Sequence, residues 1–260
     1  MIAAILIGRK GSSGYPGKNT TLIAGHPMVW WPLQAAVETS EIDRTYVSTD
    51  DPGIASIAGE MGAHLIDRPA YLADDAALGE DAYVHAHQVI SSELDAMGET
   101  VELYVLLMAN AVTISSGQLL EGIEALRARP ELDSAVTVSC YNMWSPLRAR
   151  KINEDGLLRP FVPFETFGDP ATLNCDRDSQ GDVWFADMGV SIVRPRNLDH
   201  LETGLLPQKW MGQAIYPIKN VGGLDVDYPY QMLQAQWWLE NVERGWTAQL
   251  PAWRRSLSRA

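Results

Sequence analysis

Two stretches of the chain, 2–7 and 101–110, are almost entirely apolar and read IAAILI and VELYVLLMAN. Runs of this kind are typical of strands buried on both faces of a parallel sheet. Through residue 140 the chain alternates such segments with helical ones; the further strands are expected at 44–50, 63–69 and 133–140, and helices at 28–40, 51–62, 79–97 and 116–130. This alternation predicts an α/β fold with a doubly wound, mostly parallel, Rossmann-like sheet.

The alternation stops at residues 141–183, which are rich in Pro, Gly, Asp and Arg. Within them, KINEDGLLRPF is typical of a hairpin that turns at Asp155-Gly156. A strand is expected again at 183–195, a short one within 205–218, and a helix after LDVDYPY. A chain of 260 residues can form one large domain. We therefore predict a single domain, 1–260, that carries 141–183 as a small inserted hairpin subdomain.

The composition restricts the classes of partner. A formal net charge of -13 argues against a nucleic-acid surface or an anionic membrane surface, since both would repel the chain. The two cysteines have no metal-like spacing. No apolar run approaches the length of a membrane span, and the first ten residues lack the features of a signal peptide. These features predict a cytoplasmic enzyme or binding protein without a nucleic-acid or membrane partner.

A basic, glycine-rich loop follows the first apolar run and reads IGRKGSSGYPGKN over residues 7–19. Glycines after a buried strand let backbone N–H groups approach an anion closely. Arg9 and Lys18 can neutralise a polyphosphate, and Ser12 and Ser13 supply hydroxyl donors. The spacing matches neither the P-loop nor the dinucleotide-binding motif. The loop therefore indicates a phosphate site of another kind; a surface loop with solvated charges is the alternative.

The loop resembles the opening motif of the CMP-sugar synthetases of the acylneuraminate cytidylyltransferase family, A-R-G-G-S-K-G-I-P-G-K-N. Three later segments resemble the family's in the same order, and they read EIDRTYVSTDD, RPAYLADDAA and LDVDYPYQMLQAQ. Together the four motifs extend from residue 7 to 236. The resemblance implies a nucleotidyltransferase fold and the transfer of CMP from CTP to an acidic acceptor, with release of pyrophosphate.

The resemblance also implies which side chains serve the reaction. Catalytic roles fall to Arg9, Lys18, Asp225 and Asp227. CTP would be bound by Gly8, Arg9, Gly11, Ser12, Ser13, Lys18, Asn19, Asp50, Arg68, Asp75 and Asn110. Asp50 ends a strand at the edge where open α/β sheets bind ligands. For Arg68 a structural ion pair is an equally open alternative.

Asp225 and Asp227 are separated by one residue. In an extended backbone their side chains lie on one face, close enough to bind one hard cation. With the resemblance we expect them to hold Mg²⁺, which would polarise the α-phosphoryl group and stabilise the leaving pyrophosphate. The alternative is a solvated acidic turn that caps the following helix.

Several positions depart from the family's pattern. Ser13 replaces the loop lysine, Met108 and Ala109 replace a glutamine and a proline, and Ile114 replaces an arginine. Ala186 and Met188 stand where an arginine and an asparagine usually face a sugar acid. The CTP half of the site is thus expected to be kept and the acceptor half to be changed.

The acceptor is expected to be a small anion, either a phosphonate or a 2-keto sugar acid, and the losses slightly favour the phosphonate. Arg148, Arg177 and Asp187 are the candidate acceptor-binding residues. An exposed charged hairpin is the alternative for the two arginines. For Asp187 a role as general base is also open.

Two further expectations concern assembly and class. Because family members are commonly dimers whose inserted subdomain reaches the neighbouring site, we expect a homodimer. A non-catalytic nucleotide sensor or scaffold on the same fold is the alternative function. The loss of the lysine at Ser13 favours it, whereas the retention of both Asp225 and Asp227 opposes it. A transferase that uses another nucleoside triphosphate is a third possibility.

Overall fold

The computed structural model describes residues 1–11, 14–74 and 76–242. Its strands are β1 Ile2–Gly8, β2 Leu22–Ile23, β3 His26–Pro27, β4 Arg44–Thr49, β5 His64–Asp67, β6 Leu103–Met108, β7 Ser134–Cys140, β8 Arg150–Ile152, β9 Leu158–Pro160, β10 Trp184–Val193 and β11 Ile215–Asn220. Its helices are α1 Trp30–Val37, α2 Pro52–Glu60, α3 Gly79–Asp95, α4 Ser116–Ala128, α5 Pro195–Asp199 and α6 Gln231–Asn241. Helices and strands lie close to the positions expected from the sequence.

Seven strands form the central sheet, in the order β11-β7-β10-β6-β1-β4-β5. Four of the six strand pairs are parallel, and β10 is antiparallel to both of its neighbours, β6 and β7. The α/β class and the mostly parallel sheet are therefore confirmed. The antiparallel direction of β10 could not be read from its residues, because a strand buried on both faces has the same pattern in either direction.

Strand β1 shows why the protein has three layers. All seven of its residues are buried, and alternate side chains enter different apolar cores. Ile2 and Leu6 pack with residues of α1, α2 and α4 on one face, while Ile5 packs with residues of α3 and α5 on the other. Helices therefore cover both faces of the sheet, and the carboxyl ends of β1, β4 and β6 remain open at one edge.

Local signals fix where some helices begin. Asp51 accepts hydrogen bonds from the backbone N–H groups of Gly53 and Ile54, and Pro52 occupies the first turn, so α2 starts immediately after β4. Helix α1 begins two residues before Pro32, where the first turn tolerates a proline. Among the residues that the structure describes, no helix has the length and apolar character needed to cross a membrane.

Residues 141–183 connect β7 to β10 outside the central sheet. Their only regular pairing in the described structure is the β8–β9 hairpin, which turns at Gly156 with φ of 76°. The hairpin expected at Asp155-Gly156 is confirmed. The single-domain organisation with a dimerisation subdomain stays a prediction.

Candidate active site

A cavity of about 530 Å³ lies at the carboxyl ends of β1 and β6. Eight of the residues expected from the sequence line it, namely Gly8, Arg9, Gly11, Lys18, Asn19, Arg68, Asn110 and Asp227. They come from four separate segments of the chain, the glycine-rich loop and the segments around Arg68, Asn110 and Asp227, and the carboxyl ends of the strands bring them together. Ser12, Ser13 and Asp75 lie outside the described residues.

The glycine-rich loop lies against the segment that carries the two aspartates. A Cβ placed on Gly14 would come within 2.7 Å of the backbone oxygen of Asp227, closer than real Cβ contacts allow. Gly17 adopts φ of 72°, a conformation that favours glycine. These two positions explain why the loop needs glycine beyond any contact with an anion.

Lys18 links the loop to the aspartate segment. Its side chain is 9% exposed; Nζ donates to the backbone oxygen of Val226 at 2.7 Å and to Asp227 Oδ1 at 2.5 Å. In the described arrangement the ammonium group therefore neutralises a carboxylate at the cavity wall. A buried lysine in this place can also face the phosphates of a ligand.

The two aspartates face the site because of the residues beside them. Leu224 and Val226 are buried in a core with Trp238 of α6, so the intervening side chains turn outward. Asn110 Nδ2 lies 3.4 Å from Asp225 Oδ2 and 3.3 Å from Asp227 Oδ1. One amide thus reaches both carboxylates, as expected for side chains on the same face.

The environment of this pair raises the pKa of the Asp225 carboxyl. Burial is the largest cause and the negative charge of Asp227 adds to it, while Lys18 and Asn110 oppose the shift. A carboxylate pair in which one charge is disfavoured by its neighbour offers hard oxygen ligands to a cation. The residues present therefore fit Mg²⁺, whose remaining ligands would be phosphate oxygens and water.

Arg68 is a buried cation in the cavity wall, 7% exposed. Its guanidinium group donates to Ser48 through Nη2 at 2.8 Å and Nε at 3.3 Å. Burial lowers its pKa, and the nearby charge of Asp50 opposes this shift. Within the described part of the chain Arg68 forms no ion pair.

The remaining CTP-site candidates hold the loop in place. Asp50 Oδ1 accepts a hydrogen bond from the backbone N–H of Lys10 at 2.9 Å, and Asp50 itself does not line the cavity. Asn19 Nδ2 donates to the backbone oxygen of Arg9 at 3.3 Å. Among the described residues, the buried Asn19 Oδ1 has no hydrogen-bond donor, so it can accept one from a ligand.

The structure does not bring the three acceptor candidates to the cavity. Arg148 is exposed, and its Nη2 donates to the backbone oxygen of Cys175 at 2.6 Å. Arg177 lies 3.4 Å from Asp178, and the side chains of Arg177 and Asp178 are both more than half exposed. Asp187 is 5% exposed and accepts hydrogen bonds from neighbouring protein groups. Burial, its largest influence, raises the pKa of Asp187 against these hydrogen bonds.

A comparison with known families decides the class of the protein. The family model described as "Cytidylyltransferase" matches residues 3–141, more than half of the chain. The chain belongs to the cytidylyltransferase family. The family that the resemblance of the glycine-rich loop implied is therefore confirmed.

Two curated relatives show how far the similarity extends. The N-acylneuraminate cytidylyltransferase of Oncorhynchus mykiss is 38% identical over 229 residues, which are 88% of this chain and 49% of the relative. The 3-deoxy-manno-octulosonate cytidylyltransferase 2 of Hydrogenovibrio crunogenus is 22% identical over 231 residues, 88% of each chain. The chain therefore spans about half the length of the first relative.

Solved structures support the fold. A CMP:2-keto-3-deoxy-manno-octonic acid synthetase complexed with CTP has a TM-score of 0.63 at 16% identity and covers 92% of this chain and 98% of its own. The 4-diphosphocytidyl-2C-methyl-D-erythritol synthase of Anaerococcus prevotii has a TM-score of 0.58 at 13% identity, with the same coverage. At these identities the likeness shows a shared nucleotidyltransferase fold.

This cytidylyltransferase cavity also contains residues that the sequence reasoning missed. Tyr228 follows Asp227, is half exposed, and stacks on Tyr230 with ring centroids 5.8 Å apart. Gly79 and Ala82 enter the wall from the first turns of α3. A signal existed for the α3 residues, since helices that follow strands of an open sheet begin near its ligand-binding edge. Nothing in the sequence indicated Tyr228 beyond its place next to Asp227.

Proposed function

We propose that the protein transfers CMP from CTP to a small acidic acceptor and releases pyrophosphate. The observation that carries this proposal is the cavity that joins the glycine-rich loop, two buried cations and the Asp227 carboxylate, with Asp225 linked to it through Asn110. A triphosphate needs this combination, because its transfer depends on positioning and on neutralising negative charge. Membership of the cytidylyltransferase family supports CTP as the nucleotide.

The chain's own residues would act mainly by binding and charge neutralisation. Backbone N–H groups of the loop and the side chains of Arg9, Lys18 and Arg68 would hold the triphosphate. Negative charge grows on the α-phosphoryl oxygens and on the leaving pyrophosphate during transfer. Since Lys18 and Arg68 are already fixed by hydrogen bonds, they would need little rearrangement to stabilise this charge.

Asp225 and Asp227 would hold Mg²⁺. A cation bound there would polarise the α-phosphoryl group and stabilise the leaving group. Asn110, which reaches both carboxylates, would keep the pair on one face. The contact between Lys18 and Asp227 balances the charge of that carboxylate.

For the acceptor we favour a 2-keto sugar acid. Relatives named for acylneuraminate and for 3-deoxy-manno-octulosonate support this class. A small phosphonate, slightly preferred on sequence grounds, loses support because Arg148 and Arg177 are engaged within the insertion rather than near the cavity. Small phosphonates are nevertheless included among the acceptors in the experiment described below.

We also propose that the protein forms a homodimer through residues 141–183. Large apolar side chains of this segment are exposed, with Trp144 at 70%, Ile152 at 72% and Phe161 at 61%. Several large exposed apolar side chains within one segment are a feature of surfaces that bind other proteins. Light scattering should give twice the mass of 28.7 kDa, and Trp144→Glu should shift the protein toward monomer, whereas a monomeric wild type would contradict the proposal.

The deciding experiment measures pyrophosphate release from CTP and Mg²⁺ with a panel of 2-keto sugar acids and small phosphonates. We expect release with a sugar acid and none with the Asp227→Asn variant, which serves as the matched control. Release only with a phosphonate would overturn the acceptor assignment. Protection of the protein by CTP against thermal unfolding, without release from any acceptor, would favour the sensor or scaffold function instead.

A further inference from the structure

Asp187 is a buried carboxylate that lies outside the cavity and close to Gly223, in the segment just before the aspartate pair. Asp187 Oδ2 accepts hydrogen bonds from Ser139 Oγ at 2.7 Å and from Asn220 Nδ2 at 3.0 Å, and Oδ1 accepts one from the backbone N–H of Gly189 at 3.1 Å. Burying a carboxylate is costly unless it is well hydrogen-bonded. The only ionisable side chain of β10 is therefore buried in a mostly apolar strand, which requires an explanation.

The backbone of β10 is distorted where Asp187 lies. The register between β10 and β7 shifts between Ala186 and Ser191, and Met188 adopts φ of 59°. Bulges of this kind redirect side chains, and positive φ is unusual for methionine. The distortion lies next to the carboxylate that makes hydrogen bonds toward β7 and β11.

The groups that Asp187 binds hold the segment that leads to the aspartate pair. Ser139 Oγ accepts a hydrogen bond from the backbone N–H of Gly223 at 2.9 Å. Asn220 Nδ2 also donates to the backbone oxygen of Thr113, whose own hydroxyl accepts from the N–H of Leu224 at 2.8 Å. Residues 220–224 are therefore fixed immediately before Asp225.

The contact between Asp187 and this segment is very close. A Cβ on Gly223 would lie 2.2 Å from Asp187 Oδ2 and 2.3 Å from Asn220 Nδ2, so only glycine fits. Because Ser139 donates its proton to Asp187, its oxygen is oriented to accept from Gly223. A hydroxyl group can donate one hydrogen bond while it accepts another, so Ser139 links Asp187 to the backbone of Gly223.

We propose that Asp187 is a positioning residue that holds residues 220–224 and thereby orients Asp225 and Asp227 for metal binding. The inference rests on the proposed metal role of that pair. Asp187 contacts neither the cavity nor the two aspartates, so it acts through Ser139, Asn220 and the backbone. Acceptor binding, the role predicted for Asp187 from the sequence, is not supported by its position outside the cavity.

Asp187→Asn tests the proposal with little change of volume. The amide has only one acceptor oxygen, so its NH₂ group must face one of the donors that the carboxylate now binds. The measurement is the dissociation constant of Mn²⁺ from the protein–CTP complex, by water-proton relaxation and without an acceptor. We expect Asp187→Asn to raise this constant about tenfold, the lower end of what outer ligand-supporting groups contribute.

A second variant and a control separate positioning from general stability. Ser139→Ala keeps the carboxylate but removes its link to Gly223, and should raise the Mn²⁺ constant about threefold. Asp133→Asn is the control, because Asp133 also accepts two backbone N–H bonds, from Gln213 and Ala214, at the start of β7. It should lower the unfolding temperature while changing Mn²⁺ binding less than about twofold.

The outcomes are distinguishable. Wild-type Mn²⁺ affinity in Asp187→Asn, or an equal loss in Asp133→Asn, would overturn the positioning role. If wild-type protein releases no pyrophosphate but the variants still differ in Mn²⁺ binding as expected, the proposed function fails and the positioning role stands. Absence of Mn²⁺ binding to the wild-type protein with CTP would overturn both the metal role and this inference.

Discussion

The cavity wall and the insertion 141–183 both contain cationic side chains, but these side chains differ in burial and in the groups that they contact. At the cavity, Lys18 and Arg68 are buried and fixed by hydrogen bonds to the backbone of other segments. In the insertion, Arg148 and Arg177 are exposed and contact groups within the insertion. When the backbone around a cationic side chain is buried in the sheet, the side chain is held in one direction and can form part of a ligand site. Basic residues in a motif are therefore not sufficient evidence of a site.

The strongest test of this contrast removes a carboxylate at the cavity. We expect Asp227→Asn to lower kcat on the order of a thousandfold, because the variant loses the negative charge that contacts Lys18 and that would bind the proposed metal. The unfolding temperature should change little, since the Asp227 side chain is 52% exposed. Pyrophosphate release and thermal unfolding measure the two effects.

Asp176→Asn is the matched control, because it removes an exposed carboxylate of the insertion. Its activity should equal that of the wild type. Unchanged Mg²⁺-dependent activity in Asp227→Asn would remove the metal assignment.

The next largest effect concerns the cations. Arg9→Ala should raise KM for CTP and lower kcat, with kcat/KM reduced about a hundredfold, equivalent to roughly 2.7 kcal/mol of transition-state stabilisation. The reason is the position of Arg9 in the wall of the cavity at the end of β1. Steady-state kinetics with varied CTP provides the measurement, and wild-type constants would mean that the loop is not the phosphate site.

A smaller effect is expected when the insertion's cations are removed. The double variant Arg148→Ala, Arg177→Ala should leave KM for CTP within about twofold and KM for the acceptor within about threefold, because exposed ion pairs contribute little. A tenfold rise in the acceptor KM alone would instead support the acceptor-binding role that the sequence predicts for these two arginines.

The smallest effect is a difference in pH dependence. Burial raises the pKa of Asp187, so its contribution to folding is complete at low pH and is lost as pH rises from about 3.9 through the raised folded value. Hydrogen bonding from Asn142 and the charge of Arg177 lower the pKa of Asp178 in the insertion. Its contribution is present above about 3.9 and is lost as pH falls through the folded value.

Denaturant unfolding at several pH values can compare each protein with its Asn variant. The stability of wild type relative to Asp187→Asn should fall as pH rises. Relative to Asp178→Asn it should rise with pH in the acidic range. If the difference in stability between wild type and variant changed with pH in the same direction for both residues, the result would contradict the different environments that the structure gives Asp187 and Asp178.

Much of the fold could be predicted because its signals are local. The apolar runs at β1 and β6, the cap at Asp51 and the glycine-rich loop each lie within a few neighbouring residues. The antiparallel β10 and its bulge could not, because they depend on pairing with strands far away in the sequence.

In the candidate site, too, local sequence signals predicted some features, whereas contacts between distant segments could not be predicted. Residues predicted at the carboxyl ends of strands, such as Arg9 and Asn110, line the cavity. The hydrogen bonds that Asp187 accepts from β7 and β11 could not be predicted, because its neighbours in sequence say nothing about these distant donors. Mg²⁺ binding, the homodimer and a cytoplasmic location stay predictions.

The hydrogen bond between Lys18 and Asp227 joins residues that are 209 positions apart. During synthesis the glycine-rich loop leaves the ribosome long before the aspartate segment exists. Nearly the whole domain must be made and folded before the nucleotide site is complete. A nascent or truncated chain that ends just before residue 225 would contain all seven strands of the central sheet, but it would lack the two carboxylates of the proposed site. CTP and the proposed metal would therefore bind only after the aspartate segment has been made.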